Sequence, residues 1–203
     1  MFLIAETTKS KVFLSGEKVY KFRKNSKKKS FDNEILVYQE VQKLNLENII
    51  KFNNIDRDIL MIEMDYYPYD LESYIAGRYH SSISFNIKQK FKLIYTIVHI
   101  IGIFRLNNIV HGDFKAKNIL FDSNLNPIIT DFDLGKSGTL DNDLHKMKIL
   151  IYQILYNVEY IPKLYNNINK LMDKNMKKDY NEIYKLLEDN NLCNLLILLS
   201  KLF

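Results

Sequence analysis

Two short motifs in the middle of the chain constrain its fold more than any other feature. Residues 111–120 read HGDFKAKNIL, and residues 131–135, which begin thirteen positions after Asn118, read DFDLG. Between the motifs, two short apolar runs flank the polar segment Asp122–Asn126, a combination that predicts a β-hairpin. The hairpin would bring Asn118 and Asp131 side by side.

This arrangement of polar side chains suits phosphoryl transfer. The reaction needs a carboxylate that orients the attacking hydroxyl, and separate oxygen ligands that hold magnesium against the phosphates of ATP. Asp113 and Asn118 lie on one tight loop, and Asp131 arrives from the following strand. We therefore interpret the two motifs as a phosphoryl-transfer site.

The two motifs resemble the catalytic loop H-R-D-L-K-x-x-N and the metal-binding D-F-G of the protein kinase-like superfamily. The resemblance implies that Asp113 is the catalytic base and that Lys115 contacts the transferred phosphate. It also implies that Asn118 and Asp131 are the ligands of Mg²⁺, with ATP as the phosphate donor. The histidine and the phenylalanine of the motifs would then be packing residues.

A site of this kind also requires a lysine that anchors ATP, and the segment Lys18–Arg23 provides Lys21. Ser15 and Gly16 form a turn between two apolar runs, so we expect Lys21 on the strand after a hairpin turn. This position resembles the lysine of the family's V-A-I-K strand. The alternative is that Lys21 is one more solvated lysine of a basic segment.

Two glutamates are candidates for the carboxylate that pairs with Lys21. The segment 31–44 is predicted to be a helix, because its apolar side chains recur at helical spacing at Phe31, Ile35, Tyr38 and Val41. We favour Glu34, which shares the apolar face. The alternative, Glu40, lies nineteen residues after Lys21, nearer the usual family separation, but it points away from that face, where a charge is usually solvated.

The expected phosphate-binding loop departs from the family pattern. Residues 2–14 have a strand-loop-strand form, but the loop contains no glycine. A glycine-rich loop works because bare backbone N–H groups can approach the phosphates. Here Thr7, Thr8, Lys9 and Ser10 would have to replace that loop with hydroxyls, other N–H groups and charge.

The segment Leu60–Leu71 resembles the hinge between the two lobes of the family, with an apolar strand, a turn that contains proline, and a helix cap at Asp70. The backbone of residues 63–65 would hydrogen-bond the adenine edge, with Ile62 behind it. Besides Lys21, the resemblance places these residues around the nucleotide: Thr8, Ser10, Val12, Val19, Ile62, Glu63, Met64, Asp65 and Leu120.

The segment after the second motif is short, since only eleven residues separate Asp131 from Asp143. It leaves no room for the activation segment and peptide platform of typical protein kinases.

Gly112 replaces the arginine that in many kinases binds an activating phosphate, so we expect no switching by phosphorylation there. Asp133 replaces a family glycine, and we do not interpret that change as loss of function. Asp143 resembles the aspartate that holds the catalytic-loop backbone, although it also suits a simple acid at a helix start.

The predicted fold class is α+β, a bilobal protein kinase-like fold with a small β-rich N-lobe and a truncated, mostly helical C-lobe. We expect residues 1–203 to form a single domain, with the N-lobe over about 1–64 and the C-lobe over about 65–203. The first long helix of the C-lobe has an apolar stripe that begins at Ile87. The predicted C-lobe helices are Ser84–Leu106, Asp143–Leu155, Ile161–Met172, Lys177–Glu188 and Leu192–Phe203.

Composition limits the partners and the compartment. Part of the net charge of +5 lies in the segment Lys21–Lys29, which could bind nucleic acid or an acidic substrate, although we favour a solvated loop. The one cysteine, Cys193, excludes a disulfide framework and suits the cytoplasm or the nucleus. We expect no signal peptide and no membrane span. Abundant Asn, Ile, Lys and Tyr are typical of an A+T-rich genome, and a minimal kinase would suit a large DNA virus.

These observations leave three hypotheses for function. The first is a small, atypical Ser/Thr protein kinase that uses Mg-ATP, favoured because Lys115 resembles the Ser/Thr signature. The second is a small-molecule kinase of the aminoglycoside or choline kinase type, which Gly112 and the short segment after Asp131 favour. The third is a pseudokinase that binds partners, which the glycine-free loop and Asp133 favour.

Overall fold

The computed structural model describes residues 1–78, 84–132, 135, 138–158 and 174–203. The N-terminal part is a five-stranded antiparallel sheet with strand order β1-β2-β3-β5-β4. Its strands are β1 (Phe2–Glu6), β2 (Ser10–Ser15), β3 (Lys18–Arg23), β4 (Phe52–Asp56) and β5 (Met61–Asp65). A short 3-10 helix, Asn25–Lys27, leads from β3 into α1 (Lys28–Gln42).

The helix α1 packs against this sheet through the apolar stripe that its sequence shows. All four predicted stripe residues are buried: Phe31, Ile35, Tyr38 and Val41. The burial of β3 alternates along the strand, so that Val19, Lys21 and Arg23 share its inner face. The predicted helix therefore exists, and its buried face meets the strand that carries Lys21.

The strand β4 was not predicted from the sequence. Its residues, FNNID, show no alternation of apolar and polar side chains, and it lies at the edge of the sheet. Tertiary contacts fix it instead, because the Phe52 ring stacks on Tyr38 of α1 with centroids 3.6 Å apart, and the Phe52 N–H donates to the Tyr38 hydroxyl.

The C-terminal part is mostly helical and carries a small three-stranded sheet. The strands β6 (Tyr69–Asp70), β7 (Ile119–Phe121) and β8 (Pro127–Ile129) pair in that order. A 3-10 helix, Ala116–Asn118, precedes β7. The helices are α2 (Leu71–Ile75), α3 (Ile87–Leu106), α4 (Leu140–Tyr156), α5 (Asn181–Glu188) and α6 (Leu192–Leu199).

The predicted hairpin between the two motifs is present as β7 and β8. Its turn is stabilised by Asp122, whose Oδ1 accepts hydrogen bonds from the N–H groups of Asn124 and Asn126 at 2.9 and 2.8 Å. The hairpin also joins the two parts of the molecule, because the Ile50 N–H donates to Ile129 O and the Ile129 N–H donates to Asn48 O. The two motifs are thereby held at the junction with the N-terminal sheet.

The helices differ from prediction mainly at their ends. Asn86 caps α3 in a capping box with Gln89, so this helix begins at Ile87 rather than at Ser84, and Ile87 itself is exposed. The predicted helix 177–188 is interrupted at Tyr180, between a helical segment at 174–179 and α5. The predicted helix 161–172 lies outside the described residues.

The predicted α+β architecture is confirmed, with a β-rich N-terminal part and a mostly helical remainder. The long helix α3 forms the centre of the helical part and packs against α4, α6 and β8. Of the helices in the described part of the chain, none has the length and apolar composition of a membrane span.

Candidate active site

A buried lysine joins three distant parts of the chain. The Lys21 Nζ lies 2.7 Å from Glu34 Oε1 and 2.7 Å from Asp131 Oδ1. The rival candidate, Glu40, is exposed and pairs with Lys43 at 2.6 Å on the outer face of α1. The structure therefore brings together Lys21, Glu34 and Asp131, and it leaves Glu40 outside the site.

A second buried cation, which sequence reasoning missed, lies beside this lysine. Arg23 Nη2 is 2.5 Å from Glu34 Oε2 and 3.9 Å from Asp131 Oδ1, and its side chain is 1% exposed. The sequence could have predicted the burial of Arg23. Residues two apart on a strand share a face, and Lys21 was already expected on the inner face. Two cations of the basic segment 21–29 are thus inside the site rather than on its surface.

Electrostatics favour the charged forms of both Lys21 and Asp131. Burial alone would lower the pKa of Lys21, but the carboxylates of Glu34 and Asp131 outweigh it and raise that pKa. Burial alone would raise the pKa of Asp131, but Lys21 and Arg23 together hold it well below its usual range. Asp131 is therefore an ionised carboxylate, the form in which an aspartate binds a metal ion.

The backbone of the catalytic loop is anchored from α4. The buried carboxylate of Asp143 accepts hydrogen bonds from the N–H groups of His111 at 2.7 Å and Gly112 at 3.0 Å. The His111 ring is fully buried between Phe114 and Phe132, and its Nε2 lies 3.0 Å from Thr130 O. Burial lowers the pKa of His111, so that its imidazole is a neutral packing group.

Glycine at position 112 has a steric reason. Gly112 has a φ of +83°, a backbone conformation that residues other than glycine rarely adopt. A Cβ on Gly138 would lie 2.5 Å from Gly112 Cα and 3.0 Å from Val110 Cγ1. Gly138, at the end of the short segment, therefore packs directly against the catalytic loop.

The predicted base, Asp113, lies between two lysines. Lys115 Nζ is 2.5 Å from Asp113 Oδ2, and Lys146 Nζ, from α4, is 3.7 Å from Asp113 Oδ1. Asn118 Nδ2 donates to Asp113 O at 2.9 Å. Lys146 was not predicted, because its place on α4 is brought near Asp113 only by the tertiary fold.

The residues predicted to bind a cation offer a donor set that fits Mg²⁺. Because Asn118 uses its Nδ2 as a donor to Asp113, its Oδ1 is the atom that can bind a metal. The Thr130 N–H donates to Asn118 O at 3.0 Å, which fixes Asn118 next to the residue that precedes Asp131. Asp131 has a φ of +69°, a strained conformation of the kind found at functional sites. One carboxylate and one amide oxygen suit a magnesium ion that keeps several waters.

The loop between β1 and β2 bonds largely to itself. The Thr7 hydroxyl accepts hydrogen bonds from the N–H groups of Lys9 at 3.1 Å and Ser10 at 3.0 Å, and the Thr7 N–H donates to Ser10 O. Ser10 is buried, whereas Thr8 is exposed at the tip. Two of the N–H groups that were expected to replace a glycine-rich loop are therefore already bonded within the loop.

The residues predicted around adenine lie on two sides of the junction. On the sheet, Val12 is opposite Lys21, and Val19 is opposite Met64. Ile62 is fully buried and lies opposite Lys21 on the other neighbouring strand. From the helical part, the hairpin strand β7 contributes the half-buried side chain of Leu120.

The predicted adenine contact at Glu63 does not fit the sheet. Glu63 lies inside β5 with Tyr20 on one side and Asn54 on the other, so both of its edges face neighbouring strands. Asp65 is the last residue of β5, and it pairs with Lys18 through its side chain. A hinge contact therefore fits the end of β5 and the residues after it better than Glu63.

A cavity opens directly beside the predicted base. It has a volume of about 350 Å³ and lies between α2, the catalytic loop and α4. Apolar side chains and charged groups both line it, including Ile75, Leu150, Glu72, Lys115 and Lys146. Its size is within the range of small-ligand sites.

The fold and the site together define a protein of the kinase class, and sequence comparison agrees. The family model described as the protein kinase domain matches residues 4–162. That match covers more than half of the chain, so the chain belongs to the protein kinase domain family.

Individual relatives match shorter stretches. A probable bifunctional tRNA threonylcarbamoyladenosine biosynthesis protein of Methanocaldococcus jannaschii is 35% identical over 71 residues, which is 35% of this chain and 12% of that protein. A G-type lectin S-receptor-like serine/threonine-protein kinase of Arabidopsis thaliana is 32% identical over 112 residues, 52% of this chain and 13% of that protein. A cysteine-rich receptor-like protein kinase of Arabidopsis is 29% identical over 136 residues, 60% of this chain and 19% of that protein. The chain thus spans less than a fifth of the length of these relatives.

Proposed function

We propose that this chain is a phosphotransferase that moves the γ-phosphate of Mg-ATP to a protein hydroxyl, as a small, atypical Ser/Thr kinase. The observation that carries the proposal is the junction at Lys21, whose Nζ contacts Glu34 and Asp131 at 2.7 Å each. These residues come from a strand, a helix and the second motif, and a purely structural ion pair would not need all three. We also propose that residues 1–203 act as one domain, with lobes at about 1–64 and 65–203.

In this proposal Lys21 binds the phosphates of ATP and Glu34 holds it in place. The apolar side chains of Val12 and Val19 cover the adenine from the sheet, and Leu120 covers it from the other side. The end of β5, from Asp65 onward, provides the backbone contact to the adenine edge, because Met64, like Glu63, has a strand on each side. Thr8 and Ser10 lie nearest the phosphates in the β1–β2 loop, although their contribution is limited by the internal bonds of that loop.

Asn118 and Asp131 are the residues that would hold Mg²⁺. When bound, this ion neutralises charge on the transferred phosphate. Asp113 orients the acceptor hydroxyl and takes its proton, while Lys115 lies within reach of the transferred phosphate. The cavity beside Asp113 is the place from which the acceptor would approach.

The names of relatives favour a protein as the acceptor. Two of the three relatives described above are protein kinases by name, and one of these names specifies serine/threonine. A small-molecule acceptor is the alternative, favoured by the cavity of about 350 Å³ and by the packing of Gly138 on the catalytic loop, which leaves little space for a peptide platform. A pseudokinase role is the remaining alternative, and Asp133, which supported it, lies outside the described residues.

A second candidate function comes from the archaeal relative, whose name assigns it to the biosynthesis of threonylcarbamoyladenosine in tRNA. The 35% identity over 71 residues favours a related role in tRNA modification for this chain. Lys27, Lys28 and Lys29 are exposed at the start of α1 and offer a basic surface, although a solvated loop remains the simpler interpretation.

The proposal is tested by transfer of labelled γ-phosphate from ATP with magnesium. Wild type and Asp113→Ala are incubated alone, with a generic basic protein, with a cell lysate and with tRNA. We expect label on Ser or Thr that falls at least about 100-fold in the variant, because general-base and positioning effects are of this size. Asp113 is not a core residue, so the unfolding midpoint should change little.

The other outcomes separate the alternatives. Label on small molecules but on no protein would favour the small-molecule kinase, and transfer that appears only with tRNA would favour the second candidate. Equal transfer by wild type and Asp113→Ala would overturn the assignment of the base. Magnesium-ATP binding without any transfer would favour the pseudokinase.

A further inference from the structure

Arg23 is a second cation at the lysine-glutamate pair, and the proposed function gives it no role. Its side chain is 1% exposed and bonds to Glu34 Oε2, whereas Lys21 bonds to Glu34 Oε1. Glu34 thus has a separate cation on each carboxylate oxygen. The side chain of Glu34 is 2% exposed, so water offers little alternative partner.

The four charged groups of this cluster balance. Lys21 and Arg23 carry two positive charges, and Glu34 and Asp131 carry two negative charges. Lys21 is shared between both carboxylates at 2.7 Å, while Arg23 lies closer to Glu34, at 2.5 Å, than to Asp131, at 3.9 Å. Counted over the described residues, the cluster is therefore neutral in the absence of a nucleotide.

Nucleotide binding, as proposed above, changes the partners of two of these groups. Asp131 would bind the metal ion, and Lys21 would bind the phosphates. If Lys21 were the sole partner of Glu34, this change would weaken the pairing of a buried carboxylate, which is strongly unfavourable. With Arg23 in place, Glu34 keeps a cation throughout.

We propose that Arg23 is a positioning residue that holds Glu34 in place, so that Lys21 can exchange Asp131 for the nucleotide phosphates. This inference rests on the proposed function, because it requires that Lys21 binds phosphate. Arg23 itself touches neither the nucleotide nor the acceptor. Its effect passes through Glu34 to the availability of Lys21.

The test compares three single variants in the full chain: Arg23→Met, Arg23→Lys and Arg57→Met. Arg57 pairs at 3.0 Å with Asp32, a partly exposed residue of α1, the helix that also carries Glu34. Arg57→Met therefore controls for the loss of an arginine that bonds to this helix. Magnesium-ATP affinity is measured by titration calorimetry, and stability by urea unfolding without nucleotide. Calorimetry needs no identified acceptor.

We expect Arg23→Met to raise the Kd for Mg-ATP about tenfold, equivalent to about 1.4 kcal/mol. Arg23→Lys should restore much of the affinity, because it keeps a cation near Glu34. Arg57→Met should bind like wild type. A merely structural role for Arg23 would instead lower the number of binding sites per chain, through partial unfolding, and leave the Kd unchanged.

A charge-balanced double variant keeps the inference testable if Arg23→Met does not fold. In Arg23→Met/Glu34→Gln the buried carboxylate is absent, and we expect the same Kd as in Glu34→Gln alone, because Arg23 acts only through Glu34. Two independent losses that add would overturn the inference, as would a wild-type Kd in Arg23→Met. If wild type itself bound no Mg-ATP, the proposed function would fail first and the inference with it.

Discussion

The catalytic loop and the β1–β2 loop hold their backbones in opposite ways. In the catalytic loop, the N–H groups of His111 and Gly112 donate to Asp143, which is 32 and 31 residues away and buried on α4. In the β1–β2 loop, the N–H groups of Lys9 and Ser10 donate to Thr7, two and three residues away. The N–H groups of the first loop therefore need a distant acceptor, whereas those of the second are bonded inside the loop, with Lys24 donating from outside to the carbonyls of Thr7 and Lys9.

The difference predicts how strongly substitutions destabilise each loop. A buried, charge-assisted hydrogen bond between distant elements stabilises both the fold and the geometry of the loop. A local hydrogen bond in an exposed loop competes with water and contributes less to stability. A substitution on α4, far from Asp113 in sequence, should therefore destabilise the catalytic loop strongly. A substitution within the β1–β2 loop itself should have a smaller effect on that loop.

The largest effect is expected for Asp143→Ala. The variant leaves two buried N–H groups without their acceptor, and it should lose about 3 kcal/mol of unfolding free energy. Phosphoryl transfer should be lost as well, because Asp113 follows Gly112 directly. Urea unfolding and the labelled-phosphate assay measure the two effects.

The matched control for this change is Asp141→Ala. Asp141 lies in the same first turn of α4 but is exposed, so it shares only the favourable interaction with the helix dipole. We expect a loss below about 1 kcal/mol and normal transfer. Equal losses in the two variants would show that Asp143 is only a helix-start acid, the alternative that its sequence position left open.

A smaller effect is expected for Gly138→Ala. The new Cβ would lie 2.5 Å from Gly112 Cα, which forces the catalytic loop or the short segment to move and should cost about 1–3 kcal/mol. Transfer should fall by more than the loss of folded protein explains, because the shift reaches Asp113.

The control glycine is Gly102, in the interior of α3. A Cβ there meets nothing closer than 4.0 Å, so Gly102→Ala should stabilise the helix by about 0.5–1 kcal/mol and leave transfer unchanged. If Gly138→Ala also kept full transfer, the contact between the short segment and the catalytic loop would have no part in positioning the base.

The same contrast explains what the sequence could predict. Glu34 was preferred to Glu40 because helical periodicity assigns each residue to a face, and the structure places Glu34 against Lys21. The hairpin β7–β8 was predictable because apolar runs and turn residues are local signals. Features that depend on one residue and its near neighbours could thus be read from the chain.

Features that depend on the tertiary fold could not. The strand β4 has no alternation of its own and exists because Phe52 packs on Tyr38. Lys146 approaches Asp113 only because the fold holds α4 against the catalytic loop. Arg23 is intermediate, since its face could be predicted from Lys21, but its bond to Glu34 required the position of α1.

The smallest effect is expected for Thr7→Ala in the β1–β2 loop. Its hydroxyl accepts only local hydrogen bonds, so we expect a loss below about 1 kcal/mol in urea unfolding. Because the change releases the N–H groups of Lys9 and Ser10, the affinity for Mg-ATP should stay the same or improve slightly. The control is Thr96→Ala, which removes a hydroxyl bond to Lys92 O on the exposed side of α3 and should leave the affinity unchanged. A loss of stability as large as that of Asp143→Ala would show that this loop, like the catalytic loop, depends on distant parts of the fold.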